Sequence, residues 1–325
     1  MKNPLKIVVT GAAGFIGYHA VKSLLATGHS VLAIDNLNDY YDAKIKTDRL
    51  ENIGADKSFC FEQVDVADHR RIVDIFQKYA PSRVLHLAAQ AGVRYSIENP
   101  FTYIESNIRG HLSILEAVRN TPSIRHLIYA SSSSVYGNNT DAPFSEGDRV
   151  DKPVSLYAAT KRADELMSES YSELYQIPQT GLRFFTVYGP WGRPDMAYWS
   201  FTKAILASTP INVYNGGELE RDFTYIDDVI QAIIRIVEDV PKNKSNRIYN
   251  IGGSHPRNLH EFIDIISSAC GKTAICKNYP MQKGDVYCTY ADLTKIKEDY
   301  HYKPEITLEI GIPKFVNWYK QYHEI

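Results

Sequence analysis

Short runs of apolar, β-branched residues alternate along the first half of the chain with segments in which apolar positions recur every three or four residues. The runs Leu5–Thr10, Ser30–Asp35, Ser58–Val66, Arg83–Ala89, His126–Ser132 and Thr180–Val187 read as strands. Between them Phe15–Ala26, His69–Tyr79, Tyr103–Val118 and Leu156–Tyr175 read as helices. Strands apolar on both faces and separated by helices belong to a parallel sheet covered on both sides, so the expected class is α/β with a doubly wound parallel sheet. After Tyr188 the pattern loosens into Gly189-Pro190-Trp191-Gly192-Arg193-Pro194, a helix, a short strand near Ile211–Tyr214 and the pair Gly216-Gly217, which read as a second, smaller C-terminal α/β domain. Asp222–Asp239 and Arg247–Ile251 read as a return to the first. From about Ser254 two helical patterns remain, Leu259–Ala269 and Thr307–Tyr322, and Pro313 predicts a kink or a late start in the second. The expected division is residues 1–180 with a return segment at about 222–253 for the first domain, and 181–221 with 254–325 for the second.

Composition narrows the partners. With 44% hydrophobic and 23% charged residues the chain of 325 is ordinary in make-up, and its 36 Lys and Arg against 38 Asp and Glu leave a net charge of −2. No electrostatic case exists for a nucleic-acid or membrane partner, and an anionic ligand must be met by local positive groups. Cys60, Cys270, Cys276 and Cys288 form no C-x-x-C pair and have no histidines at metal-ligand spacing, so reduced thiols and no metal are expected. The apolar run after Met1 is too short for a signal or a span and no other segment approaches a membrane length, which makes the cytoplasm the expected compartment.

The first strand ends in Thr10-Gly11-Ala12-Ala13-Gly14-Phe15-Ile16-Gly17, and a helix opens at once. Glycines let the backbone turn tightly and approach a pyrophosphate, while the helix N-terminus offers unpaired N–H groups and the positive end of a dipole. A glycine triplet alone is equally a plain tight turn. Here it joins a strand to a helix, and the second strand ends in Asp35, eighteen residues beyond Gly17, where a carboxylate can hold adenosine ribose hydroxyls. That charge repels a 2′-phosphate, so NAD is expected rather than NADP.

Tyr157 and Lys161 stand four residues apart in a helical segment, which puts phenol and ammonium on one face. A tyrosine, with a reference pKa of about 10, is a poor base unless its anion is stabilised. Lys161, the helix N-terminus near Ser155 and an oxidised nicotinamide would all act in that direction. The plain alternative is an amphipathic helix with a core tyrosine and a solvated lysine. Upstream, the fifth strand ends in Ser131-Ser132-Ser133-Ser134, serines that are turn formers in many proteins but here fall at the carboxyl end of a strand, where ligands of such sheets bind.

The G-x-x-G-x-x-G spacing together with Tyr-x-x-x-Lys resembles the extended short-chain dehydrogenases/reductases, which share the Rossmann fold. The resemblance implies that Gly11, Gly14, Phe15, Ile16 and Gly17 face the dinucleotide with Asp35 and Asn36. It also implies that Asp65 and Val66 flank the adenine, and that Leu87, Ala88 and Ala89 run along the cofactor. Asn107 falls where the family has a structural or cofactor-side asparagine, a plain N-cap being equally open, and Ser132 falls at the reacting hydroxyl.

A finer likeness covers nearly the whole chain. Asp35 to Tyr41, His86 to Ser96, Ser131 to Gly137, Gly181 to Ala197, Arg221 to Asp228 and Met281 to Val286 resemble the UDP-glucuronate 4-epimerases. Their resemblance implies a UDP-sugar substrate and reversible interconversion of UDP-glucuronate and UDP-galacturonate through a 4-keto sugar, with Tyr157, Lys161 and Ser132 catalytic. It further implies Ser133, Ser134 and Thr186 on the uronate carboxylate, Arg221 on the diphosphate, Asp285 on the uridine ribose, and Arg94 and Arg193 on the substrate. Either Arg193 or Arg221 could instead be an ordinary ion-pair residue. Relatives that dehydrate or decarboxylate carry an acid within the serine run, and many neutral-sugar epimerases place Asn at the position of Thr186; this chain has neither. A UDP-glucose or UDP-N-acetylglucosamine 4-epimerase, a UDP-glucuronate decarboxylase and a silent dinucleotide-binding scaffold are the rival readings. The family also implies a homodimer through Tyr103–Val118 and Leu156–Tyr175.

Overall fold

The computed structural model describes residues 4–241, 245–282 and 285–325, so Lys283 and Gly284 of the Met281–Val286 stretch lie outside the described residues. The chain divides into two units, of which the first takes in Met1–Asn138, Asp148–Phe184 and Ile230–Tyr249. Its elements run β1 Lys6–Thr10, α1 Phe15–Ala26, β2 Ser30–Asp35, α2 Lys44–Ile53, β3 Phe59–Gln63, α3 His69–Tyr79 and β4 Arg83–His86. There follow α4 Tyr95–Glu98, α5 Pro100–Tyr103, a π-helical segment Ile104–Arg109, α6 Gly110–Arg119, β5 His126–Ser132, α7 Leu156–Tyr175 and β6 Gln179–Phe184. The strands form one sheet in the order β3-β2-β1-β4-β5-β6, every pair parallel, with the strand Asn246–Ile251 beside β6. This is the doubly wound Rossmann arrangement that the apolar pattern implies.

Burial on both faces explains the unbroken apolar runs: Ile7, Val8 and Val9 of β1 are all removed from water. Ile72, Ile75 and Phe76 of α3 and Ile114, Leu115 and Val118 of α6 pack with Val8, Ile34, Val84 and Leu127 of the sheet. A side chain buried as fully as Phe76 contributes about 1.5–3 kcal/mol. Strand order reverses between β1 and β4, so the loops leaving their carboxyl ends diverge and open a crevice.

Three local expectations need correction, and one helix was not expected. Leu87 to Ala89 is loop, because β4 ends at His86 and the Ala88 N–H turns to donate to the Thr10 side chain at 3.2 Å. The run Thr180–Val187 breaks at Phe185, giving β6 and a separate strand Thr186–Tyr188 that belongs to the second unit. Tyr103–Val118 is three segments, the middle one π-helical. Helix α2 carries no apolar stripe, and what it buries is Ile45, Lys46 and Arg49, so periodicity gave no signal for it.

The second unit comprises Asn139–Gly147, Phe185–Val229 and Asn250–Ile325. A three-stranded sheet orders Pro256–Asn258, Glu220–Tyr225 and Thr186–Tyr188, and Ile211–Tyr214 pairs in parallel with Cys276–Tyr279. Because Glu220–Tyr225 pairs inside this unit, the returning segment is Ile230–Tyr249, shorter than the expected 222–253. Helices Ala197–Leu206, Leu259–Cys270, Thr294–Tyr300 and Leu308–Tyr322 bury an aromatic core in which the Tyr198 and Phe315 rings meet edge-on at 4.8 Å. The last helix starts at Leu308 and runs through Pro313, so the proline does not delay it. Asp222, fully buried, accepts N–H bonds from Gly253 at 2.7 Å, Ala291 at 2.9 Å and Ser254 at 3.1 Å and so ties three stretches of this unit together.

Candidate active site

The loop after β1 is as tight as its glycines imply. Gly11 adopts φ +68°, and a Cβ there would meet Ala88 N at 2.6 Å. A Cβ on Gly17 would lie 2.0 Å from the Gly11 carbonyl oxygen, so α1 can pack this close only with glycine at that turn. Gly14 caps α1 without a side-chain bond and no acid stands in the first turn, which leaves the positive helix end directed at the crevice. Phe15 is buried and Ile16 half-buried. The Asp35 carboxylate, almost fully buried, accepts from Ala13 N at 3.1 Å through Oδ2 and from Leu37 N at 2.9 Å through Oδ1. Asn36 donates through Nδ2 to Asp65 Oδ2 at 2.9 Å, and Val66 sits against Gly110, where an added Cβ would come within 2.7 Å of it. The Asp35, Asn36 and Asp65 group therefore forms one rim beside the glycine loop, with Leu87 to Ala89 on its other side.

Ser155 starts α7, its Oγ accepting from Ala158 N at 3.1 Å. Tyr157 therefore lies in the first turn, half-buried, its ring edge-on to Tyr103 at 6.0 Å. Tyr103 is held in turn by its hydroxyl, which donates to Gly92 O at 2.5 Å. One turn on, Lys161 Nζ donates to Ala130 O of β5 at 3.1 Å and to Asp164 Oδ2 at 3.0 Å. Burial pushes the Asp164 carboxyl up to about 6, against the opposing pull of Lys161. Asn107 is not an N-cap: it lies inside the π-helical segment, buried, where Oδ1 accepts Gln90 N at 2.8 Å and Nδ2 donates to Gln90 O at 3.0 Å and Thr160 Oγ1 at 2.9 Å. It fastens the stretch after β4 to the helix bearing Tyr157 and Lys161, a use characteristic of π-bulges at functional sites.

At the end of β5, Ser132 caps the short turn Ser133–Tyr136 by accepting from Ser134 N at 3.2 Å, and its hydroxyl lies 3.2 Å from that of Ser134. Ser133 and Ser134 are half-buried and Arg94, just before α4, is exposed. His86 and His111 stack beneath the site at 5.3 Å; burial pushes His86 down to about 3 and His111 well below its ordinary value, so both are neutral near pH 7.

In the second unit, Thr186 lies opposite Phe223, two residues along the neighbouring strand from Arg221. Arg221 donates through Nη1 to Glu220 O at 2.8 Å and stands 4.0 Å from Asp285, so these two expected substrate residues are neighbours. Arg193 pairs in two-pronged fashion with Asp195 at 3.0 and 2.5 Å.

Residues 7–252 match the NAD dependent epimerase/dehydratase family. The chain belongs to that family. Among relatives of this epimerase/dehydratase, protein CapI of Staphylococcus aureus is 50% identical over 98% of the chain and 100% of its own length. A probable UDP-glucuronate 4-epimerase of Rhizobium meliloti is 40% identical over 98% of the chain and 97% of its own length. The solved structure of UDP-glucuronic acid 4-epimerase from Bacillus cereus, in complex with UDP-glucuronic acid and NAD, superposes with a TM-score of 0.92 at 33% identity. It covers 98% of this chain and 100% of that one.

Three buried residues of this family member's site were missed by sequence reading. Arg49 donates through Nη1 to Ala13 O at 2.8 Å and so places a guanidinium behind the glycine loop; the polar helix carrying it gave no signal. Asp164 and Glu165 were legible in spacing alone, Asp164 three residues after Lys161 and Glu165 continuing the four-residue stripe of Tyr157 and Lys161. Among the described residues no cluster of His, Cys, Asp and Glu is placed to hold a metal ion, and no helix is long and apolar enough to cross a membrane.

Proposed function

We propose that this epimerase inverts C4 of a UDP-hexuronic acid, interconverting UDP-glucuronate and UDP-galacturonate with NAD as a resident cofactor. The observation that carries the reading is the placement of Tyr157 in the capped first turn of α7, with Lys161 one turn behind it, in the unit that also holds the glycine loop. The loop suits a dinucleotide: glycines at 11 and 17 let it fold back tightly on Ala88 and on the Gly11 carbonyl, α1 opens at Gly14 with no side-chain cap and no acid in its first turn, and the anchored Asp35 carboxylate suits unphosphorylated ribose hydroxyls. Gly11, Gly14, Phe15, Ile16, Gly17, Asp35, Asn36, Asp65, Val66, Leu87, Ala88 and Ala89 would hold it, with Asn107 supporting from below. When bound, NAD supplies a hydride acceptor and donor at C4.

Tyr157 as phenolate takes the proton of the C4 hydroxyl, directly or through Ser132, and returns it after the 4-keto sugar has presented its other face. The Lys161 ammonium and the N-terminus of α7 stabilise that phenolate. A 4-keto uronate is a β-keto acid and loses CO₂ readily. Ser133, Ser134 and Thr186 are assigned to its carboxylate, where hydrogen bonds that favour the charged form oppose that loss. Arg221 is assigned to the diphosphate and Asp285 to the uridine ribose, with Arg94 and Arg193 as further substrate contacts. The first unit is the NAD-binding domain in this scheme and the second the nucleotide-sugar domain. A cytoplasmic homodimer completes it: Phe101, Leu166 and Leu174, respectively 82, 55 and 67% exposed, are large apolar residues on α5 and α7 that a second copy would cover.

The test is NMR of purified protein with UDP-glucuronate and no added NAD. UDP-galacturonate with hydrogen retained at C4 in deuterated solvent supports the reading. Solvent deuterium at C4, a UDP-pentose with CO₂, or turnover of neutral UDP-hexoses alone each displaces it.

A further inference from the structure

Helix α7 buries two consecutive carboxylates whose surroundings differ. Glu165 is matched on all sides: Oε1 accepts from Ser131 Oγ at 2.6 Å and Arg183 Nε at 2.8 Å, and Oε2 accepts from Arg183 Nη2 and Arg162 Nη1, both at 3.0 Å. Burial alone would raise its pKa, but these partners hold it below the usual range. Asp164 has no such cage. Its Oδ2 meets Lys161 Nζ at 3.0 Å, while Oδ1, equally buried, makes no hydrogen bond with the protein. The Asp164 and Lys161 side chains are 1% and 4% exposed. A carboxylate so placed is poorly matched as a structural clamp and well placed to act on the charge of Lys161.

The other titratable groups around this pair are known. His86 of β4 and His111 of α6 face Lys161 and are neutral, Glu165 is paired with Arg183, and Tyr129 of β5, which lies near Asp164, is held protonated by burial. Near neutral pH Lys161 and Asp164 are the buried charged pair at this point of α7, with Glu165 beside them held by Arg183 and Arg162. A carboxylate 3.0 Å from an ammonium cancels much of that ammonium's field at any group farther off.

We propose that Asp164 is a positioning residue that sets the strength of the Tyr157 base: it fixes the Lys161 head against Ala130 and offsets its charge, so the phenol ionises less readily than beside an unpaired ammonium. This rests on the reading of Tyr157 as the base. Asp164→Asn keeps the shape and a hydrogen-bond acceptor while deleting the charge. Protein isolated with its cofactor is titrated by tyrosinate absorbance, each form against its own Tyr157→Phe counterpart, and the pH profile of kcat for C4 inversion is recorded beside it. In Asp164→Asn the Tyr157 midpoint falls by about one pH unit and the acid limb of kcat moves with it. Asp164→Glu, which restores the charge, returns the midpoint towards that of the parent. An unchanged or raised midpoint in Asp164→Asn, with melting temperature and bound cofactor retained, overturns the proposal, as does a glutamate form that behaves like the asparagine one. Asp164→Ser removes the same charge and is read by the same criterion if the asparagine form does not fold. The titration needs no substrate, so it judges Asp164 even if the parent protein fails to invert C4, an outcome that would sink the functional reading instead.

Discussion

Gly17 leaves the least room of the residues that shape the cofactor loop. Its missing side chain would stand 2.0 Å from a backbone oxygen, and backbone yields less than a flexible side chain. Gly17→Ala is expected to cost about 1–3 kcal/mol in urea unfolding and to lower the NAD retained on isolation. Tyr157→Phe should behave oppositely: the phenol lies half-exposed in a helix whose cap is elsewhere, so stability and retained NAD stay while turnover falls by about 10²–10⁴. Activity undiminished in that variant would remove the base assignment. Asp164 adds a pH signature of its own. A buried carboxyl whose folded-state pKa is raised to about 6 binds its proton more tightly than in the unfolded chain. Its contribution to stability is full below its ordinary titration range and is lost as pH rises to about 6. The melting temperature of Asp164→Asn relative to the parent should therefore climb over that interval and level off above it.

At the scale of elements, what was readable depended on whether the cause was local. Helices α1, α3 and α7 and strands β2 and β5 have the limits that apolar spacing implies, and the Asp68 and Ser155 caps fix two of those starts. Helix α2 was not readable, because Arg49 is buried for a tertiary reason, its bond to the glycine loop. The same holds for the π-helical segment, whose irregularity carries Asn107 to Gln90, and for Cys276–Tyr279, whose partner strand lies more than sixty residues earlier. The glycine loop, Asp35, Tyr157 and Lys161 stood out as a motif; Asp164 and Glu165, which surround that motif from beneath, did not. Asn107→Leu tests the middle case. It leaves the buried N–H and C=O of Gln90 unpartnered, at about 1–3 kcal/mol each, and chemical denaturation should show the sum. A cost under about 0.5 kcal/mol would mean that the segment holds its shape without the asparagine.

For the whole molecule, a net charge of −2 offers an anionic nucleotide sugar no general attraction, so recognition must be local. Arg221, proposed for the diphosphate, is such a local charge. Association of copies makes the other whole-molecule prediction. Phe101→Glu places a charge at the exposed apolar residue of α5, and sedimentation should show the proposed dimer giving way to a monomer; a parent protein that already sediments as a monomer removes the dimer from the scheme. Asp35 bears on how this scaffold could be re-engineered. Its two oxygens already brace the turn through Ala13 and Leu37, so the side chain proposed to exclude a phosphorylated coenzyme also secures the glycine loop. Exchanging it for a small or basic residue to switch coenzyme would loosen the grip on both forms, and a successful switch must retain an acceptor for those two amides while shedding the charge.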